Sequence, residues 1–358
     1  MIAHPDSAKH TSMKKLKLKI TKLNIGRLFV AAALMTFGVA HAEPTPNASF
    51  DCSKAQSRIE HAICSDPKLA KSDREISDLY RAALLAVSEE GKYSLRNGQR
   101  LWLKFVDTVC STQKAPDDLA NCLSEKYGDR KERLLNAVQS IGGYKFHRVD
   151  IYLAVKESDR TDDTGDNSGF ATTDLSYPLI DAPRTEAERR FNNYIRVDAD
   201  RLRLSGERED STDEYLGFRS IKATPQLVSI ESESGFYGHG APHGQYVGAY
   251  VHWLFPQGRL LVAQDIFLKG SPWRQILVDR CYAGVAKYGV IKDKNELQPL
   301  VESPSSWSFE PDGLIVNFNP YNVASYADGS PSVFIPWSAL RRYIAPNSPI
   351  WALAHPKT

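Results

Sequence analysis

No charge sign dominates this 358-residue chain, where 45 Lys and Arg stand against 43 Asp and Glu. That balance, which becomes mildly acidic once residues 1–42 are removed, argues against nucleic-acid binding, which demands a basic stripe. The apolar run from Leu28 to Ala40 is too short to span a bilayer. The five cysteines include no C-x2-C pair, which removes the tight spacing of a zinc site. Internal repeats and low-complexity tracts are lacking. So are a nucleophile elbow, a pair of carboxylates in a recognisable frame and a phosphate-cradling loop, so neither enzymatic activity nor a cofactor is expected.

What is present begins with a targeting signal. Lys14, Lys15, Lys17, Lys19, Lys22 and Arg27 precede the apolar run, and Ala40-His41-Ala42 has the small-x-small form of a cleavage site. Residues 1–42 therefore read as a secretory signal peptide, starting at Met1 or Met13. No cysteine follows the expected cut, so a lipid anchor is not expected and the product should be soluble, in the periplasm or secreted. Losing residues 1–42 removes seven Lys/Arg and one Asp, taking the formal charge from +2 to −4. Residues 43–49 form a polar, proline-broken leader that should fray.

Export makes thiols available as crosslinks. Cys52, Cys64, Cys110 and Cys122 fall within one helical stretch, 50–142, and four cysteines allow three connectivities. Short local loops favour Cys52 with Cys64 and Cys110 with Cys122. Ser57 and Glu60 form a capping-box pair. Asp66 reads as an N-cap with Pro67 at the first helical position, and Leu69, Ile76, Tyr80, Ala83 and Val87 line one face. Gly91 is expected to end that helix. The next should start near Leu95 and carry Trp102, Phe105 and Val109; the last follows Pro116 and extends to Val138. Trp102 and Tyr80 belong to the expected core.

Beyond Gly142-Gly143 the period changes from 3.6 to 2. Residues 143–358 alternate as strands at Tyr144 to Lys156 and Asp174 to Ile180, with an acidic loop from Glu157 to Ser168 between them. A helix follows Pro183, with Ala187, Phe191, Tyr194, Ile195 and Leu202 on one face. A hairpin turns at Gln257-Gly258, between Tyr246–Phe255 and Arg259–Phe267. A second main helix starts behind Ser271 as N-cap and reaches Tyr288. Another hairpin turns at Pro311-Asp312-Gly313, before a strand from Val333 to Trp337 and a short helix from Ser338 to Ile344. The expected fold class is α+β: a disulfide-linked helical bundle followed by an antiparallel sheet with two main helices.

Asp51-Cys52, Glu60-His61-Ala62-Ile63-Cys64, Asp66-Pro67-Lys68-Leu69-Ala70, Gln99-Arg100-Leu101-Trp102, Cys110, Cys122, Tyr127 and Arg130 together resemble the N-terminal domain of LprI-type lysozyme inhibitors. The later segments Tyr177-Pro178, Phe191 to Ile195, Gly238 to Gly244, Gly258-Arg259-Leu260, Asp265-Ile266-Phe267 and Ile335 to Leu340 are similar to the extracytoplasmic module of the anti-sigma factor RsiV, also found beside the deacetylase PdaC. The first resemblance implies inhibition of lysozyme and the second a lysozyme receptor. The catalytic domain of PdaC has no counterpart here, and Pro242 is an addition to the simpler Gly-Ala-His pattern of the second family.

His239 and His243 have the spacing of two metal ligands on one helix face. Gly238, Gly240, Pro242 and Gly244 exclude that helix, so no metal site is expected. Tyr237, His239, Pro242 and His243, on a loop that glycines allow to protrude, are instead the candidate contacts to a protein partner. Cys281 reads as a buried core thiol, and Asp265 as a hydrogen-bonding residue at a strand end. The acidic loops Asp159 to Asp166 and Glu207 to Asp213 are where a basic partner would be met.

The resulting expectation is an exported, non-enzymatic envelope protein that binds lysozyme or a related muramidase and occludes it. The alternatives are a peptidoglycan-modifying, deacetylase-like hydrolase and an envelope-stress sensor. The oligomeric state stays open.

Overall fold

The computed structural model describes residues 48–157, 169–204 and 211–356. Residues 1–42, read from the sequence as a signal peptide, leader residues 43–47 and most of both acidic loops lie outside them, as does the side chain of Leu202. At the end of the leader, Ala48 is fully buried and the Ser49 N–H donates to Asp73 at 2.6 Å, so these two residues are fixed where fraying was expected.

Four helices open the described chain: α1 (Arg58–Ser65), α2 (Pro67–Ala86), α3 (Glu89–Cys110) and α4 (Pro116–Leu135). Their starts follow from local chemistry. Ser57 and Glu60 form the reciprocal capping box of α1, and Asp66 accepts from the Lys68 and Leu69 N–H groups ahead of Pro67. Gly91 does not end α2. The break falls at Val87-Ser88, where Ser88 caps α3 by accepting from the Gly91 N–H at 3.3 Å. Gly91 is a close-approach residue instead, because a Cβ there would lie 2.7 Å from an Asp181 oxygen.

Disulfides join Cys52 to Cys64 and Cys110 to Cys122, so one crosslink fastens the 3-10 turn Cys52–Lys54, which precedes α1, to that helix, and the other fastens the end of α3 to α4. Leu69, Ile76, Leu95, Trp102, Val106 and Leu123 fill the core between the helices. The rings of Trp102 and Tyr127 lie 5.1 Å apart, while Tyr80 packs at the margin.

Val138 is not the end of α4. It begins β1 (Val138–Ile141), and the left-handed pair Gly142 (φ 61°) and Gly143 (φ 87°) turns the chain into β2 (Tyr144–Lys156). Then come β3 (Phe170–Ile180), α5 (Glu186–Leu204), β4 (Thr212–Ala223), β5 (Leu227–Gly238), β6 (Gln245–Leu254) and β7 (Arg259–Leu260). These strands form one sheet in sequence order. Every neighbouring pair is antiparallel except β3 and β4, which run parallel because α5 carries the chain between them. Phe191 and Ile195 of α5 pack on Phe146, Leu179, Ile230 and Trp253 of the sheet.

The second arm of the Gln257-Gly258 hairpin pairs over only two residues, Arg259 and Leu260. The Asp265 carboxylate then draws the chain into a turn by accepting from the Val262 N–H at 2.9 Å. Next come α6 (Trp273–Val285), α7 (Gln298–Val301), β8 (Trp307–Glu310), β9 (Gly313–Asn317), β10 (Ser332–Pro336), α8 (Trp337–Leu340) and α9 (Trp351–Ala354). Ser271 does not cap α6: its hydroxyl donates to the Leu268 carbonyl at 2.7 Å, and Pro272 occupies the cap position. Strands β8 to β10 make a second, antiparallel sheet, and Leu277, Cys281, Trp307, Val316, Ile335 and Leu340 form the core between it and α6. The fold is α+β, helical at its N-terminal end, with two long helices among mostly antiparallel strands.

Helices and sheet meet across a buried polar contact. Arg130 of α4 donates to Asp150 of β2 at 2.7 Å and to Gln99 of α3 at 3.0 and 3.1 Å. Asp150 also accepts from Arg148 Nε at 2.9 Å and from the Ser176 hydroxyl at 2.8 Å. Beside it, Arg133 forms a two-pronged pair with Asp174 at 2.6 Å. Burial raises the Asp150 pKa, but the Arg130, Arg148 and Arg133 guanidiniums outweigh it and leave the carboxyl at about 2. Among the described residues no helix is long and apolar enough to cross a membrane.

Candidate functional site

Of the four residues singled out in the sequence, His239, Pro242 and His243 lie in the glycine-rich turn between β5 and β6, whereas Tyr237 is not on the loop but in β5, paired with Asp213 of β4, and they divide by role. His239 faces inward: Nδ1 bonds the Glu157 carboxylate, and Nε2 lies 3.1 Å from an Asp213 oxygen, off the line of a hydrogen bond. Its side chain is only 2% exposed, too little to present to a partner. Asp213 in turn accepts from the Thr172 N–H and hydroxyl at 2.8 and 2.6 Å, so His239 fastens the turn to the ends of β2, β3 and β4.

Tyr237 lies beside His239, with ring centres 5.9 Å apart. Gly240 takes the left-handed conformation (φ 85°), and Pro242 is exposed at the tip. His243 is exposed and turned the other way: its Nδ1–H donates to the Gly244 carbonyl at 2.8 Å, and its ring stacks on Tyr326 at 4.0 Å. The two histidines thus meet different partners. Among the described residues, no group of three His, Cys, Asp or Glu side chains is placed to hold a metal ion.

Tyr326 links the turn to a cleft. Its hydroxyl donates to the Gly244 carbonyl at 2.8 Å, and its ring makes an edge contact with Tyr246 at 6.0 Å. The cleft, about 460 Å³, opens between the face of β4, β5 and β6 and the chain that leaves β9. Period 2 explains its composition, since cross-strand partners share a face: Glu231 opposes Tyr250, Glu233 opposes Gly248, and Gly235 lies between Tyr215 and Tyr246.

The missing side chains matter as much as those present. A Cβ on Gly235 would fall 2.7 Å from the Tyr215 ring, which therefore lies across that glycine. At Gly248, the Asn319 amide clasps the backbone from the opposite wall at 2.7 and 3.1 Å. A bulge after Phe218 leaves Arg219 outside the pairing, and its guanidinium binds Glu233. Ser220 donates to Glu231 at 3.0 Å, and Tyr215 donates to Glu233 at 3.3 Å. Burial, with Glu233 adding to it, pushes the Tyr215 hydroxyl up to about 12; burial and Glu231 shift Tyr250 in the same direction. Both are protonated donors at neutral pH.

A second cleft of about 610 Å³ adjoins the first and shares Glu231 and Tyr250 with it. Its lining is more apolar, with Leu227, Phe309, Pro311, Ile350 and Leu353. His252 lies in its floor, where Nε2–H donates to the Trp307 carbonyl at 2.9 Å and Nδ1 accepts from Ser229 at 2.8 Å. Burial pulls its pKa down to about 4, so the ring is neutral at pH 7. Asp265 and Cys281 lie elsewhere: Asp265 is paired with Arg259 at 2.7 and 2.8 Å, and Cys281 is a buried free thiol.

Two segments match known family models. Residues 51–141 match lysozyme inhibitor LprI. This LprI segment contains both disulfides, α1 to α4 and β1, and it ends at the glycine turn before β2. Residues 264–338 match DUF3298, a protein of unknown function, and span α6 to β10 and the Asn319 wall of the cleft. Strands β4 to β6, which carry the other wall, fall between the LprI and DUF3298 segments.

A solved DUF3298 family member from Bacteroides fragilis is 14% identical, with a TM-score of 0.42 over 61% of this chain and 100% of its own. A DUF3298 family protein from Pseudomonas aeruginosa is 16% identical, with a TM-score of 0.41 over 57% of this chain and 95% of its own. No curated protein matches the chain.

Proposed function

We propose that this protein acts outside the cytoplasm, binds a lysozyme or a related muramidase, and restrains it by covering its cleft. It acts by binding and not by catalysis. The observation that carries this reading is the LprI match, which falls on a bundle whose helices are closed by two disulfides. Disulfides are characteristic of oxidising compartments, and the signal-like segment 1–42 supplies the route of export to the periplasm or beyond.

A rigid bundle suits occlusion, because crosslinks and the Arg130–Asp150 contact fix its surface before association and lower the ordering cost. A mildly acidic mature chain is compatible with a basic partner. Pro242 and His243 are exposed in the β5–β6 turn and offer a contact to the enzyme, while His239 holds the turn in shape.

The test is titration calorimetry of the disulfide-intact protein against a c-type lysozyme, paired with a cell-wall lysis assay. The expected result is binding with slowed lysis. Absence of heat at protein concentrations of about tens of micromolar, a modest threshold of affinity, removes the proposal.

A further inference from the structure

We infer that the joined clefts on the β4–β6 face form a binding groove for a linear glycan of N-acetylated amino sugars. This does not rest on the lysozyme reading, since the residues that carry it lie outside the LprI segment.

Three observations converge. First, the polar cleft, at about 460 Å³, has the size of a small-molecule site, and Gly235 lets the Tyr215 ring lie flat along the strand face at its edge. Second, its chemistry is mixed, with one guanidinium against two carboxylates. The Tyr215, Tyr246 and Tyr250 hydroxyls both donate and accept, the Glu231 and Glu233 carboxylates accept, and Arg219 already balances Glu233.

A cationic ligand needs an unbalanced negative field. A ligand rich in hydroxyls needs donors and acceptors side by side, with ring faces for its C–H surfaces. Tyrosines between carboxylates meet the second requirement. Third, the polar cleft continues past the Glu231–Tyr250 pair into the apolar one. An extended ligand therefore meets polar walls along one part of its length and Phe309, Ile350 and Leu353 along the rest, which suits sugar rings that also carry acetamido methyl groups.

The probe is the β-1,4-linked hexamer of N-acetylglucosamine, titrated by calorimetry and by saturation-transfer NMR into the full disulfide-intact protein. Cellohexaose, which lacks the acetamido groups, serves as the comparison arm. Binding is expected for the first sugar, at least about tenfold weaker for the second, and insensitive to added salt because the ligand is uncharged.

Tyr246→Ala and Glu233→Gln should each weaken binding about tenfold or more, roughly the loss of one hydrogen bond or ring contact, with an unchanged circular dichroism spectrum. Leu353→Asp, at the apolar end, should remove the preference for the acetylated sugar. The inference is overturned if the hexamer fails to bind at millimolar concentration, if cellohexaose binds equally well, or if both cleft variants bind like the parent. A salt-sensitive response to oligolysine in place of the sugar would overturn it in favour of a cationic peptide. Loss of sugar binding with lysozyme binding retained, or the reverse, separates this inference from the proposed function.

Discussion

The Arg130 guanidinium and the Asp150 carboxylate, 20 residues apart in sequence, meet at 2.7 Å with both side chains removed from water. Arg130 belongs to the helical bundle and Asp150 to the sheet, so this pair joins the segment that matches LprI to the rest of the chain. Removing one member leaves the other charged and buried. Arg130→Ala is expected to lower unfolding stability by about 3–5 kcal/mol, and Asp150→Leu by a similar amount, in urea denaturation. The double variant should lose clearly less than the sum of the two, because each single change already abolishes the same contact.

The same carboxylate gives an acid limit. Its folded pKa of about 2 lies below the ordinary 3.8, so its contribution is complete above about pH 4 and is lost as pH falls toward 2. The loss amounts to about 2 kcal/mol. His252 acts at higher pH with the same sign. Burial lowers its pKa from 6.5 to about 4, so the unfolded chain binds the extra proton first and stability declines as pH falls from 6.5 to 4. That decline is on the order of 3 kcal/mol. NMR of the His252 ring should show no protonation until below about pH 5; titration near 6.5 would contradict its place in the floor of the apolar cleft.

Local chemistry was readable in the chain. The Ser57–Glu60 box, the Asp66-Pro67 start and the preference for short cysteine loops each depend on residues within a dozen positions, and all three stand in the structure. Gly91 misled because a glycine that ends a helix and one that admits Asp181 look alike until the partner 90 residues later is in place. Val138 misled because Gly142-Gly143 closes a hairpin whose first arm continues directly from α4. The cleft was illegible for a related reason. Glu231 and Glu233 alternate on β5, which was a signal of a shared face, but their tyrosine neighbours follow only from strand register, and Asn319 arrives from a loop far along the chain.

Each disulfide closes a loop with a sequence separation of 12, which makes the expected gain about 3 kcal/mol per bond from restriction of the unfolded chain. Cys52→Ser with Cys64→Ser, and separately Cys110→Ser with Cys122→Ser, should each lower the urea midpoint and steepen the slope, because the uncrosslinked unfolded chain exposes more surface. The second pair should cost more, because Cys110 is fully buried in the bundle core and a serine hydroxyl there lacks the apolar fit. Mass spectrometry without reductant should find both bonds formed in exported material. Four free thiols would remove the basis for a crosslinked bundle.

Cys281 provides an independent clock for the other end of the molecule. It is fully buried among Leu277, Trp307 and Ile335, and burial pushes its thiol up to about 12, so almost no thiolate exists at neutral pH. A thiol reagent should label it only when the core around α6 opens, at a rate that follows unfolding and rises steeply with denaturant. Comparing that rate with the exposure of the Arg130 variants tests whether helices and second sheet unfold together. If Arg130→Ala speeds labelling of Cys281 as much as it lowers the urea midpoint, the contact holds one cooperative body. If labelling is unaffected, the second sheet and α6 open as a unit of their own, and the Arg130–Asp150 pair stabilises only the helical end.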